Sequence, residues 1–121
     1  MDQRDEQVEV FEGLNLNSVS TDTIDSHYDK LAKYNLIGLS PMFLVSYCYF
    51  STDFSSSVDK YIKHVEEGDY YDFERSDDHK VVKLPEANSK HLVAALEHRN
   101  RGEQSVAIYH ILIDMKLPSQ E

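Results

Sequence analysis

Apolar residues recur at helical spacing in two stretches of the chain. Between residues 21 and 35, Ile24, Tyr28 and Leu31 share one face, Thr21 or Ser20 can cap the start, and Asp22 and Asp25 fall in the first turn, where the helix dipole favours anions. Between residues 55 and 67, Val58, Tyr61, Ile62 and Val65 hold the i, i+3, i+4, i+7 pattern, with Ser56 and Asp59 in a capping-box-like pair and Gly68 just beyond. Both stretches predict amphipathic helices.

Three further stretches are apolar without so clear a period. Ser40-Pro41 offers a capping side chain followed by a proline at a first helical position, and the run "PMFLVSYCYF" is apolar on all sides, which predicts a central helix. Asn88 or Ser89 can cap another helix through Leu92, Val93, Ala95 and Leu96, stopping near Gly102. From Glu103 to Lys116 nearly every second or third residue is apolar; length and Leu117-Pro118 favour helix, while the β-branched content leaves strand open. "HKVVKLP" reads as a short strand near 80–84 or a connector stopped by Pro85, and "VEVFEGL" as a short strand or irregular arm. The expected architecture is mainly α: a compact single-domain bundle of about five helices over residues 20–117, with a weakly ordered or irregular arm at 1–19.

Composition keeps the chain in the globular class. At 121 residues it fits one domain, and 40% hydrophobic with 28% charged residues is ordinary globular usage. The longest apolar run is half of what a bilayer crossing needs, and "MDQRDEQVEV" lacks the basic and apolar regions of a signal peptide, so the expectation is a cytoplasmic protein with no membrane contact. The single cysteine, Cys48, cannot form an internal disulfide and sits in an apolar run as a small core residue.

Charge changes the picture more. The net charge of −10 argues against direct nucleic-acid binding, since phosphates would be repelled. Residues 1–29 hold eight acids and one base, and residues 66–78 hold seven acids and one base, so these segments sum to −7 and −6 and the remainder to +3. The excess is confined to two patches.

Candidate chemistry is sparse. Gly13, Gly38, Gly68 and Gly102 are too scattered for a phosphate-binding loop, and neither a G-x-S-x-G elbow nor an H-E-x-x-H pair occurs. Of the six histidines, only His110 with Asp114 and His64 with Glu67 have single-turn ligand spacing, and His91 and His98 lie about 10 Å apart along a helix. No catalytic, cofactor-binding or metal-binding residues are assigned. General acid–base work by histidines brought together in the fold stays open, and it predicts that two or more of them converge in an apolar pocket.

The acidic patches point to binding. Asp22, Asp25 and Asp29 line one side of the first helix, and Glu66, Glu67, Asp69, Asp72, Glu74, Asp77 and Asp78 are interleaved with Tyr70, Tyr71 and Phe73. The rings either turn inward and anchor the loop, or stay at the surface and join the acids in an interface for a Lys/Arg-rich partner. Basic, functionally exposed clefts belong above all to proteins that handle nucleic acid. In size and charge the chain resembles immunity proteins that neutralise bacterial nuclease toxins, and also phage-encoded nuclease inhibitors. The expected partner is therefore a basic protein such as a nuclease toxin, met by Asp22, Asp25, Asp29 and the acids and tyrosines of 66–78. The alternative is a regulatory or scaffold module that binds through apolar surface and whose charge only solvates it.

Overall fold

The computed structural model describes residues 10–34, 40–70 and 73–116. Its elements in chain order are β1 (Val10–Leu16), α1 (Thr21–Tyr34), β2 (Met42–Cys48), α2 (Phe54–Glu67), β3 (Val82–Lys83), a short 3-10 turn at Pro85–Ala87, β4 (Leu92–Arg101) and β5 (Gln104–Asp114). The five strands form one mixed sheet in the order β1-β2-β5-β4-β3. β1 and β5 flank β2 in parallel, with Val10 opposite Met42 and Met42 opposite Ile108, while β4 runs antiparallel to both β5 and β3.

The two helices arise as their periodicity implies. In α1, Ser20 caps the start by accepting from the Thr23 backbone N–H at 3.4 Å, and Ile24, Tyr28, Leu31 and Ala32 are buried. In α2 the capping side chain is Asp53, which accepts from the Ser56 N–H at 2.9 Å; Ser56 is therefore the capped residue, not the cap. Both helices lie on the same face of the sheet, because Tyr28 of α1 and Tyr61 of α2 both pack on the ring of His110 in β5.

The expected five-helix bundle is corrected to a two-layer α/β domain with two α-helices among the described residues. Three segments read as helix are strands: 42–48, 92–101 and 104–114. β2 and β5 lie inside the sheet with paired neighbours on both sides, and such strands carry apolar residues on both faces, so their sequences lose the alternation that marks a strand. Pro41 precedes β2, where its missing N–H breaks no ladder bond, and the Ser40–Pro41 peptide is cis. In β4 the alanine-rich "LVAALEH" has helical propensity, overridden by pairing along ten residues with β5. Gly102, expected to stop a helix, instead opens the two-residue turn of the β4–β5 hairpin with φ 62°, a left-handed conformation that suits glycine. The expected strand near 80–84 is present as β3. β1 lies within the segment read as an N-terminal arm, and residues 1–9 fall outside the described residues.

The core fills the space between helices and sheet: Leu14, Leu16, Met42, Leu44, Cys48, Ile108 and Leu112 from the strands meet Ile24, Tyr28, Leu31, Val58, Tyr61 and Val65. No helix of the described residues is long and apolar enough to cross a membrane.

Candidate functional site

The covered face of the sheet carries an uncommon load. Strand alternation places Glu97 and Arg99 of β4 and His110 of β5 on that face, under the helices, each no more than 1% exposed. Glu97 Oε2 accepts from the Tyr28 hydroxyl at 2.8 Å and bonds His110 Nε2; Glu97 Oε1 bonds His79 Nε2 at 2.8 Å and accepts from Arg99 Nε at 2.7 Å. His110 Nδ1 lies 2.9 Å from the Tyr61 hydroxyl. Arg99 spends its remaining donors on the end of α2, reaching the carbonyls of Gly68 at 2.9 Å and Val65 at 2.7 Å. Both oxygens of a buried carboxylate are thus doubly engaged, as a buried charge requires.

This arrangement sets the local proton affinities. Burial by itself raises the Glu97 carboxyl, but the bond and charge of His110, the bond from His79 and the charge of Arg99 outweigh it and hold that carboxyl far below the usual carboxylate range. Burial, with the Glu97 charge adding to it, pushes the Tyr28 hydroxyl well up; burial likewise raises Tyr61, and burial with the Asp25 hydrogen bond raises Tyr70. The Cys48 thiol is pushed up to about 12 by burial, which keeps it a packing group and not a nucleophile.

Two histidines do converge, as acid–base chemistry requires, yet on a carboxylate sealed in the interior. His79 has 4% of its side chain exposed and His110 none. The clefts found lie elsewhere: one of about 620 Å³ among Asp69, Phe73, Glu74, Arg75, Ser76 and Asp77, and one of about 440 Å³ between the start of α2 and Lys83, His91 and Asp114. Among the described residues no group of three or more His, Cys, Asp or Glu could hold a metal ion. The network's evident work is to join β4 to the end of α2 and to α1.

The expected partner-binding residues divide into two sets. The rings that are described turn inward: Tyr70 is 6% and Phe73 4% exposed, and Tyr70 stacks on Tyr28 with centroids 3.8 Å apart and planes 3° apart. Arg99 lies over both of these tyrosine rings, 5.5 Å from Tyr28 and 5.0 Å from Tyr70. Asp25 is also turned to the fold, accepting from the Tyr70 hydroxyl and bonding His64 Nε2, each at 2.8 Å. Glu66 is half-buried and accepts from the Val81 N–H at 2.8 Å; Asp29 is half-buried as well. Asp22, Glu67, Asp69, Glu74, Asp77 and Asp78 are exposed. Asp69 takes two bonds from Arg75, at 3.1 and 2.9 Å, and Asp78 takes one from Ser76 at 3.1 Å. Tyr71 and Asp72 lie outside the described residues.

What the sequence does not show is that the two acidic patches are neighbours. The Tyr70–Asp25 bond and the Tyr70–Tyr28 stack bring the loop after α2 against α1, so residues 45 apart in the chain sit side by side. The loop is held at its far side too, where Glu74 and Asn100 exchange backbone hydrogen bonds of 2.8 and 2.9 Å. Sequence reasoning also missed Glu97, Arg99, His79 and His110 as a set. A charged pair two residues apart in an apolar run was the available signal, legible only if that run is a strand.

No protein-family model, curated protein or solved structure matches the chain.

Proposed function

We propose that the protein is a small acidic binding protein that acts by occupying a basic partner, in the manner of an immunity protein that blocks the nucleic-acid cleft of a nuclease toxin, within the cytoplasm and without catalysis. The observation that carries this reading is the junction at Asp25–Tyr70–Tyr28, which merges two acidic patches into one surface on the helical side. With Tyr70 and Phe73 in the core, the rings serve as anchors and the exposed carboxylates of Asp69, Glu74, Asp77 and Asp78 are presented beside points where the chain is tied to α1 and β4. Preorganised carboxylates meet arginine and lysine with little ordering cost, and an acidic field speeds encounter with a cationic cleft.

The test is a charge reversal. Cationic proteins retained by the full chain from its native cells at low salt are assayed for nuclease activity with and without the chain. Association of the retained partner is then timed for wild type and for Asp69→Lys/Glu74→Lys/Asp77→Lys. The expected result is inhibition by wild type and an association rate at least about tenfold slower for the variant at low salt. Equal association rates would sink the reading. The uncovered apolar face of the sheet favours a second reading, a regulatory or scaffold module that assembles with a second copy of itself and whose affinity stays nearly constant as salt rises.

A further inference from the structure

The sheet has a second face, and among the described residues no helix lies over it. Its centre is built from Phe43, Val45 and Tyr47 of β2 opposite Tyr109, Ile111 and Ile113 of β5, with the Phe43 and Tyr109 rings stacked 5.3 Å apart. Strand register gives this face a distinctive property. Every Asp, Glu, Lys or Arg within a strand, namely Glu12, Lys83, Glu97, Arg99, Arg101 and Asp114, projects to the helical side. The face turned to solvent carries none; its polar strand residues are Asn15 on β1 and His98, Asn100 and Ser105 toward the β4–β5 turn. A solvated sheet face normally alternates polar residues outward, so a face whose centre is apolar and which holds no Asp, Glu, Lys or Arg marks an interface.

We infer that this face is where two copies of the chain meet, sheet against sheet about a two-fold axis. Charge argues for the geometry: with a net charge of −10, two copies repel through their acidic helical sides but not through the one face free of formal charge. The composition of the segment preceding β1 suits an apolar face poorly. Nine residues span at most about 30 Å fully extended, enough to cross the sheet. Residues 1–9 hold four acids and one base, with Met1 and Val8 as the only large apolar side chains. Extent argues for the affinity. Five strands about 4.8 Å apart and roughly seven residues long present about 450 Å² of planar face per copy. Two such faces total about 900 Å², below the roughly 1,200 Å² at which standard-size interfaces begin, which places the dimer among weak, concentration-dependent assemblies.

Sedimentation equilibrium of the full chain from about 1 to about 300 µM tests this. The expected mass climbs from 14.0 kDa toward twice that value, and raising the salt leaves the dimer intact or strengthens it. Tyr109→Lys should hold the chain at monomer mass. Should that variant fail to fold, Phe11→Lys and Val82→Lys, at positions 54% and 57% exposed, are expected to weaken association about tenfold each with unchanged circular dichroism. A mass fixed at 14.0 kDa throughout overturns the inference and leaves the face to residues 1–9 or a foreign partner. A dimer indifferent to all three substitutions also overturns it, and points to the free edge of β1 instead.

Discussion

The two faces of one sheet invert the usual arrangement. The covered face holds Glu97, Arg99 and His110, none more than 1% exposed, together with the buried hydroxyls of Tyr28 and Tyr61. The face without helices holds rings and aliphatics at its centre, neutral polar residues such as Asn15 and Asn100 around it, and no Asp, Glu, Lys or Arg. Burial is therefore achieved on one side by mutual satisfaction of polar groups, and on the other no helix of the described residues covers the apolar centre. The difference teaches that burial of a charge and exposure of a charge do different work: among the described residues the Glu97 carboxyl, held far below the usual range, ties elements together, while the loop carboxylates of Asp69, Glu74, Asp77 and Asp78 stand in solvent.

Several substitutions sharpen that contrast. Glu97→Ala strips the common acceptor from Tyr28, His79, His110 and Arg99, leaving a buried guanidinium without its carboxylate, and is expected to cost about 3–5 kcal/mol in urea denaturation. The same carboxyl gives a pH signature. Because its folded pKa is depressed, its stabilisation is complete above the unfolded value of about 4.3 and is lost as pH falls through the folded value. Acid titration of the unfolding midpoint should show wild type losing stability below about pH 4, and Glu97→Gln losing markedly less over that window. If both fall alike, the covered network is not what acid attacks.

Gly68→Ala ranks next. A Cβ there would stand 2.7 Å from the Tyr70 hydroxyl and 2.9 Å from its ring, and that ring cannot yield without leaving the Tyr28 stack. An expected loss of about 1–3 kcal/mol, read by thermal or urea unfolding, follows from overpacking. On the other face, Tyr109→Thr keeps a strand-forming residue and empties no core, so it should change monomer stability by less than about 1 kcal/mol while weakening self-association. Smallest of all, Asp69→Lys/Glu74→Lys/Asp77→Lys should leave the unfolding midpoint nearly unmoved, since these side chains are exposed and the one ion pair lost, Asp69 with the half-exposed Arg75, is a surface pair. A large loss there would mean that the loop's acids belong to the fold and not to a partner.

How much of this was legible in the sequence differs element by element. α1 and α2 were, because each buries a single stripe and solvates the rest, which leaves a 3.6-residue period in the text. β3 was one of two readings left open for its stretch, strand or connector, with Pro85 marking the end of either. β2 and β5 were not: a strand flanked on both sides and apolar on both faces has no alternation left, and a run of ten apolar residues then fits a buried helix equally well. Once 92–101 was taken as helical, Glu97 and Arg99 pointed in unrelated directions and the buried network vanished from view. The acidic patches were legible as composition, but their adjacency was not, since it depends on where one ring, Tyr70, is placed. The inward course of Tyr70 and Phe73 was one of two alternatives the residues left open, and the core claimed them.

The position of β5 has a consequence for biosynthesis. It is the last described strand in the chain yet occupies the middle of the sheet, pairing Ile108 with Met42, 66 residues earlier. A nascent polypeptide that has emerged only as far as Gly102 can form β1-α1-β2 and α2 but has nothing to seal the flank of β2, and β4 has only the two-residue β3 to pair with. Until residues 104–114 leave the ribosome, two apolar edges wait open to misassembly, so a premature stop anywhere before Gln104 should yield an aggregating product and not a smaller domain.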